Sequence, residues 1–232
     1  MNIKCTAVIG CLSAALFCFS AQAGVVINGT RVIYKSDEQE ITVKLTNMGK
    51  QPVLVQSWLD NGDDKIKPDK ITTPFTLTPP INRVEAGKGQ SLRISAVNTG
   101  ALSQDRESLW WLNVLEIPAR PTTTADNQNR LQVAVRSRIK FFYRPAALKG
   151  EANRAIQALT WTQDAATLTV KNPTPYYVSL TNIIANGKTI PVDMVGPMNS
   201  QTIKATFSKG TQIQVGWVDD FGAHRKQSFT VN

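Results

Sequence analysis

The sequence predicts an all-β protein built from two β-sandwich domains of immunoglobulin-like size. Short segments recur in which apolar and polar residues alternate, about seven in each half of the chain, and turn-prone residues separate them. Neither a helical periodicity of useful length nor a repeat of fixed short period occurs. Pro145 closes a strongly alternating stretch in the middle of the chain, so we place the domain boundary there.

The longest alternating stretch runs from Asn129 to Tyr143 and reads NRLQVAVRSRIKFFY. Its odd-numbered positions are apolar and its even-numbered positions mostly basic, over a length well beyond the typical strand of about 5–6 residues. Two interpretations fit this pattern. It is either a core strand with a solvated basic face, or an edge strand whose apolar row stays available to another chain. On the second interpretation, Arg136 and Arg138 protect the exposed edge.

The first half contains several further strand candidates. The earliest holds the turn-prone pair Asn28-Gly29, and residues 109–117 form a nearly continuous apolar run that suits a strand buried on both sides. Thr72 to Pro80 is rich in Pro and Thr and predicts an extended, irregular edge. The candidates are residues 25–34, 40–47, 53–59, 91–95 and 109–117.

The second half begins with a predicted linker at residues 146–154 and continues as a series of short strands. Asn186-Gly187 lies between two of them and is a strong signal for a two-residue hairpin. The predicted strands are residues 155–161, 167–171, 176–184, 188–192, 202–207, 212–218 and 227–231.

The chain starts with a segment that has the features of a secretory signal peptide. Lys4 supplies a short basic region, an apolar run follows, and Ala21-Gln22-Ala23 is a small-x-small cleavage site. No later apolar segment is long enough to span a bilayer, so we expect an exported protein without membrane insertion that begins at Gly24. All three cysteines precede Gly24, so the mature chain should contain neither a disulfide nor a reactive thiolate.

The formal net charge of +9 falls by one when Lys4 is removed. A basic balance can indicate nucleic acid, an anionic surface or a partner with negative groups. Export makes nucleic acid a poor candidate, and no run of consecutive Lys or Arg residues occurs. An anionic surface and a partner with negative groups both remain compatible with the charge.

Residue types that support catalysis are sparse, and we predict no catalytic residue, metal site or cofactor. The single histidine, His224, lies in a polar turn. One histidine is not enough to form a histidine-based metal site. Asp63-Asp64 lies next to Asn61-Gly62, which favours a solvated turn over a carboxylate pair. Nucleotide-binding loops, the Gly-x-Ser-x-Gly pattern and the zinc-protease motif do not occur.

Two cations lie within apolar strand segments. Arg31 precedes Val32 and Ile33, and Lys140 lies between Ile139 and Phe141. A buried or half-buried cation needs a partner, and two converging cations form a natural site for a carboxylate. Composition alone would favour two surface charges that point at water.

Several separated motifs, taken together, resemble one known family, the PapD-like periplasmic chaperones of the chaperone–usher pathway, which assembles pili on Gram-negative bacteria. The most specific match is QDRESLWWLNVLEIPA, residues 104–119, although Ser103 stands where many members have proline. The other matches, in chain order, are residues 29–34, 139–146, 172–178 and 220–222. The resemblance spans nearly the whole mature chain.

The resemblance implies two immunoglobulin-like domains in an L or boomerang arrangement: an N-terminal domain at residues 24–145 and a C-terminal domain at residues 146–232, after a signal peptide at residues 1–23. Members of the family bind pilus subunits, which are immunoglobulin-like domains that lack their last strand. The chaperone fills the open groove of the subunit with one of its own strands, which is donor-strand complementation. It then delivers the subunit to an outer-membrane usher. The implied location is the periplasm.

The resemblance also implies roles for individual residues. The 129–143 stretch is the donor strand, and its inserted side chains are Leu131, Val133 and Val135. Arg31 and Lys140 match two invariant cations that bind the terminal carboxylate of the bound subunit and so set the pairing register.

Glu107, Arg144 and Asp220 match an interdomain ion network that holds the angle between the domains. The loop at residues 121–130 is short, as in the branch that builds rod-forming and tip-bearing pili. The disulfide that the family often has in its second domain is absent here, so this domain must be held by packing alone.

Two alternative functions remain from the residues themselves: a structural pilin or adhesin, and an exported carbohydrate-binding or hydrolytic domain. The first would lack a complete set of strands in one domain. The second would need exposed aromatic clusters or a carboxylate pair, whereas Trp110 and Trp111 lie within an apolar strand. A chaperone with an exposed donor strand could also self-associate to cover it.

Overall fold

The computed structural model describes residues 24–119 and 132–232, which are almost entirely β-structure. The predicted signal peptide, the 121–130 loop and Leu131 lie outside these ranges. The strands that precede Pro145 are β1 (Val25–Ile27), β2 (Arg31–Lys35), β3 (Glu40–Asn47), β4 (Val53–Asp60), β5 (Phe75–Thr78), β6 (Ile81–Val84), β7 (Gly89–Ala96), β8 (Ser108–Pro118) and β9 (Val135–Arg144). Those that follow are β10 (Thr160–Asp164), β11 (Thr167–Asn172), β12 (Ser179–Ala185), β13 (Lys188–Pro191), β14 (Asn199–Ile203), β15 (Gln212–Val218) and β16 (His224–Thr230).

The first nine strands form one β-sandwich. Its two sheets have the strand orders β1-β3-β7-β5 and β2-β9-β8-β4-β6. Alternate residues of both sheets point inward and form one apolar core. At its centre, the ring of Phe75 lies 4.9 Å from that of Phe141 and 5.7 Å from that of Tyr34. The Tyr34 hydroxyl donates to the carbonyl of Glu38 and accepts from the backbone N–H of Ala96, so this buried polar atom is satisfied.

The last seven strands form a second sandwich with its own core. The sheet orders are β10-β11-β14 and β13-β12-β15-β16, and the core includes the fully buried Trp161, Leu168 and Ile183. The described residues contain no cysteine, so packing and hydrogen bonds hold this domain. The prediction of an all-β fold with two immunoglobulin-like sandwiches is confirmed.

The predicted strand at residues 155–161 is wrong. Ala152–Ala158 forms a 3-10 helix, and the strand β10 starts only at Thr160. Ala155 and Ile156 are buried in the second core, so this apolar segment packs inward as a helix and not as a strand. A short apolar run fits a strand or a helix equally well, because both can bury it.

The first predicted strand, residues 25–34, is two strands in different sheets. β1 pairs antiparallel with β3, whereas β2 pairs parallel with β9 in the opposite sheet. The crossing occurs at Asn28-Gly29, where Gly29 has a φ of +127°, a conformation that favours glycine. This crossing fixes where β2 begins.

The strand β8 lies inside its sheet but is fully buried only at its centre. Leu112, Asn113 and Val114 are buried, while the flanking residues are half exposed. The prediction of a strand buried on both sides therefore holds for the middle of β8 only. The predicted irregular edge at residues 72–80 contains the short edge strand β5.

A buried ion pair ties β9 to β4 across β8. Arg138 donates to both carboxylate oxygens of Asp60, with Nη2 to Oδ1 at 2.6 Å and Nε to Oδ2 at 3.2 Å. Asn113 Nδ2 donates to Asp60 Oδ2 at 2.6 Å, and the guanidinium lies 4.3 Å from the ring centre of Trp111. The side chain of Asp60 is only 2% exposed. Arg138 is therefore bound in an ion pair and is not the exposed edge charge that the sequence predicts.

The electrostatics of Asp60 favour its charged form. Burial would raise the pKa of Asp60, but hydrogen bonds from Arg138, Asn113 and the backbone N–H of Gly62 outweigh it and lower the pKa. A lowered carboxyl pKa stabilises the folded state above the unfolded-state pKa, about 3.9 for Asp, and this contribution is lost as the pH falls through the folded-state value.

We therefore expect Asp60→Asn to lower the free energy of unfolding at pH 7 by roughly 2–4 kcal/mol, because Arg138 loses its charged partner in a buried site. Urea unfolding at several pH values measures this. The difference from the unsubstituted protein should begin to narrow as the pH falls below about 3.9, where Asp60 of the unfolded chain takes up a proton, and should vanish below the lower pKa of Asp60 in the folded state.

The matched control is Asp64→Asn, which removes an exposed pair with Arg136 at 3.6 Å. An exposed pair contributes about 0–1 kcal/mol, so this variant should unfold nearly like the unsubstituted protein. Equal losses for the two variants would contradict a special role for the Asp60 network.

Candidate functional site

The two long sides of β9 are covered to different extents. On one side, β8 pairs with β9 from Val135 to Tyr143. On the other side, β2 pairs with it only from Lys140 to Arg144. Among the described residues, no strand covers this second side from Val135 to Ile139, so its backbone N–H and C=O groups are available for pairing.

The apolar row of β9 changes surroundings at the same point. Phe141 and Tyr143 are buried in the first core, and Ile139 packs against that core. Val133 and Val135 are instead 57% and 54% exposed. Both interpretations of the alternating stretch thus apply, each to one half: a core strand after Ile139 and an uncovered edge before it.

The other row of β9 faces outward and is polar only in part. Phe142 is buried, and its ring lies 5.6 Å from that of Tyr177 in the second domain. Arg136 and Arg138 each bind an aspartate, Asp64 and Asp60 respectively. These partners were missed from the sequence, because Asp60 and Asp64 lie in a stretch that looks like a solvated turn.

Arg31 is the first residue of β2 and lies opposite Lys140 in the parallel register. Its Nη1 atom donates to Val218 O at 3.0 Å and to Ser179 Oγ at 3.2 Å, both in the second domain. Its Nε atom is buried and has no hydrogen-bond partner among the described residues. Burial lowers the pKa of Arg31, although Asp220 and Asp219 oppose this effect.

Lys140 is also half buried, between Arg31 on one side and Trp111 on the other in the sheet register. Burial lowers the pKa of Lys140, and the neighbouring charge of Arg31 lowers it further, against a smaller opposing effect of Asp193. The structure therefore brings the two predicted cations together at the point where the uncovered edge ends. A carboxylate placed there would relieve their desolvation and mutual repulsion.

Glu107, Arg144 and Asp220 form one ion network between the two domains. Arg144 Nε donates to Glu107 Oε1 at 2.6 Å, and Arg144 Nη1 donates to Asp220 Oδ2 at 2.8 Å. Glu107 Oε2 also accepts the backbone N–H of Tyr177 at 2.7 Å. Burial would lower the pKa of Arg144, but its two carboxylate partners raise it overall. The structure thus brings the three predicted residues together, with Arg144 in direct contact with both carboxylates.

Arrangements that would suggest an enzyme are not found in the described ranges. No cluster of His, Cys, Asp and Glu residues there could hold a metal ion. His224 is exposed at the start of β16. None of the helices in the described part of the chain is long and apolar enough to cross a membrane.

Comparisons with known proteins agree with this geometry. Residues 24–149 match the family model "Pili and flagellar-assembly chaperone, PapD N-terminal domain", and residues 154–229 match "Pili assembly chaperone PapD, C-terminal domain". The probable fimbrial chaperone YadV of Escherichia coli is 43% identical over 95% of each chain. The chaperone protein MrkB of Klebsiella pneumoniae is 44% identical, over 93% of this chain and 95% of MrkB.

Solved structures give the same result. A crystal structure of the YadV chaperone has a TM-score of 0.76 and 40% identity, and the match covers 90% of this chain and 100% of that one. A chain from the complex of the Salmonella enterica SafA pilin with the SafB chaperone also has a TM-score of 0.76, at 30% identity, over 89% of this chain and 96% of that one. With both of its domains matched, this chain belongs to the PapD family of pilus-assembly chaperones, a family of non-enzymatic proteins.

Proposed function

We propose that this protein is a periplasmic chaperone that binds, folds and caps pilus subunits by donor-strand complementation and delivers them to an outer-membrane usher. One observation carries the proposal: the uncovered edge of β9, with its exposed Val133 and Val135, ends at the paired cations Arg31 and Lys140. An edge of this kind invites a strand from another chain, and the cations define where that strand ends.

The geometry dictates the direction of the incoming strand. A strand that lies along residues 135–139 with its terminal carboxylate at Lys140 must run parallel to β9. It then occupies the same row of the sheet as β2, which is also parallel to β9. The incoming strand would therefore continue the row that β2 leaves empty, and its last residue would stop in front of Arg31.

The interaction combines backbone pairing with apolar burial. Pairing satisfies the backbone groups at the open edge of the pilus subunit as well as those of β9. Leu131, Val133 and Val135 would fill the open core of the pilus subunit, and each could contribute about 1.5–3 kcal/mol if it is fully buried. The carboxylate contact fixes the register, because a shift by one residue would turn this apolar row away from the groove.

We assign the Glu107–Arg144–Asp220 network the role of holding the two domains, residues 24–145 and 146–232, at a fixed angle. Its central guanidinium binds one carboxylate from each domain, at 2.6 and 2.8 Å. Charge-assisted pairs of this geometry are directional, so they resist rotation of one domain against the other.

Transfer to an usher requires a surface that stays accessible while the pilus subunit is bound. Leu54 and Ile81 lie on the outer face of the β2-β9-β8-β4-β6 sheet and are 41% and 54% exposed. This face does not coincide with the uncovered edge of β9, so an usher could contact it in the complex. Transfer needs no nucleotide, because completed folding of the delivered pilin supplies the driving force.

The free protein has the same exposed edge without a pilus subunit to cover it. We therefore propose that it self-associates through β9 when pilus subunits are absent. A pilin or adhesin function is not favoured, since each sandwich already closes its own core and the family is one of chaperones.

We predict that Lys140→Met abolishes recovery of a soluble equimolar complex when the protein is co-expressed with its cognate pilus subunit. The melting temperature of the free protein should stay the same or rise slightly, because an apolar side chain replaces a half-buried cation that lies beside another cation. Affinity purification and thermal unfolding measure the two effects.

The control for Lys140 is Lys44→Met, which removes an exposed cation from β3 and should leave recovery of the complex intact. A large loss of stability in Lys140→Met would instead assign Lys140 a structural role. Lys140 is a better probe than Arg31, because Arg31 also binds the second domain.

A second prediction concerns the apolar row. Val133→Asp should prevent capture of the pilus subunit, since it places a charge in the core that the donor strand fills, and the melt of the free protein should hardly change at a site that is 57% exposed. Val97→Asp provides a matched control, because Val97 is 64% exposed outside the β9 edge. Equal capture by both variants would reject the proposed donor face.

A further inference from the structure

Phe221 lies in the turn between β15 and β16 and is 86% exposed, the highest value for a large apolar side chain in the described ranges. An exposed phenyl ring does not stabilise the free protein, because its apolar surface stays hydrated. The ring is therefore free to bury its apolar surface against another chain.

Hydrogen bonds around Asp219 hold this turn in one conformation. Asp219 Oδ1 accepts the backbone N–H groups of Phe221, at 3.0 Å, and Ala223, at 2.9 Å. Arg225 Nε donates to Asp219 Oδ2 at 3.0 Å, and the backbones of Asp219 and Ala223 pair at 3.1 Å. The ring is thus presented from a fixed backbone, so ordering it in a complex costs little entropy.

The turn also contacts the first domain beside the start of β2. Gly222 has a φ of +83°, and a Cβ atom built on it would lie 2.5 Å from Thr30 Oγ1. Asp220 binds Arg144, and Val218 accepts a hydrogen bond from Arg31. The residue before Phe221 and the residue after it are therefore both fixed against the domain that carries the carboxylate site.

An incoming strand in the row of β2 would end just before Arg31, which is the position next to Thr30. The turn that contacts Thr30 would then lie beside the last residues of that strand. From this adjacency we propose that Phe221 is a specificity residue, whose ring packs against an apolar side chain among the last two residues of the bound pilin. This inference rests on the proposed function, because the carboxylate site defines where the pilin ends.

The proposed contact divides recognition of the pilin's last residues into two parts. Arg31 and Lys140 recognise the carboxylate, which every chain has, so they cannot distinguish one pilin from another. The ring of Phe221 would distinguish apolar from small or polar terminal residues, because only an apolar side chain buries surface against it.

The test uses synthetic peptides that are long enough to span the uncovered edge and carry alternating apolar residues. One peptide ends in Val-Tyr with a free carboxylate, and a second ends in Gly-Ser with a free carboxylate. Fluorescence anisotropy measures their affinity for the full-length mature protein and for Phe221→Ser, Phe221→Leu, Met198→Ser and Lys140→Met. Met198 is a control, because it is 52% exposed in another turn of the same domain.

We expect Phe221→Ser to lower the affinity for the Val-Tyr peptide by about five- to tenfold, which is the scale of one aromatic contact. The affinity for the Gly-Ser peptide should not change. Phe221→Leu should restore part of the loss, and Met198→Ser should bind like the unsubstituted protein. Lys140→Met should lower the affinity for both peptides equally, since it removes a cation that binds the carboxylate of either peptide.

If Phe221→Ser bound both peptides as tightly as the unsubstituted protein while Lys140→Met lost affinity, the role of Phe221 would be overturned and the proposed function would stand. Unchanged binding in Lys140→Met would overturn the proposed function and this inference with it. If Phe221→Ser changed only self-association, as measured by sedimentation, the ring would belong to a contact between two copies of the chain, and the inference would fail.

Discussion

The position where β2 begins determines the properties of the whole site. The chain crosses from the other sheet at Asn28-Gly29, so β2 can cover β9 only from Lys140 onward. The earlier part of β9 is left with one uncovered side and an exposed apolar row, while the later part is an ordinary core strand. A start of β2 a few residues earlier along the row would close the edge and remove the site. One backbone crossing thus separates the uncovered half of β9 from its core half.

At the end of the uncovered edge, two cations are partly removed from water, which is energetically unfavourable in the free protein. Arg31 and Lys140 are half buried side by side, and burial lowers the pKa of both. Carboxylates elsewhere neutralise the half-buried cations Arg138 and Arg144 directly, at 2.6 Å in each case. No carboxylate contacts Arg31 or Lys140 directly in the described ranges, which supports the proposal that they bind the carboxylate of a partner.

How much of this could be predicted from the sequence depends on the range of each interaction. Alternation along the chain is local, so it predicted β9 and its two faces, and the family motifs indicated Arg31 and Lys140. The pairing of Arg138 with Asp60 joins strands that are far apart in sequence, and Asp60 itself adjoins a run of turn residues that suggested solvent exposure. The 3-10 helix at Ala152–Ala158 was mistaken for a strand, because its burial depends on the second core and not on its own pattern.

The second domain also helps to position the end of the uncovered edge. Arg31 donates to Val218 and Ser179, so the second domain holds the side chain that marks the end of the edge. The network around Arg144 then fixes the other end of the short β2–β9 pairing to Asp220. Both ends of β2 are therefore tied to the second domain, directly or through β9. A change in the angle between the domains would move Arg31 relative to the β9 edge, so the proposed carboxylate contact needs a fixed angle to set one pairing register.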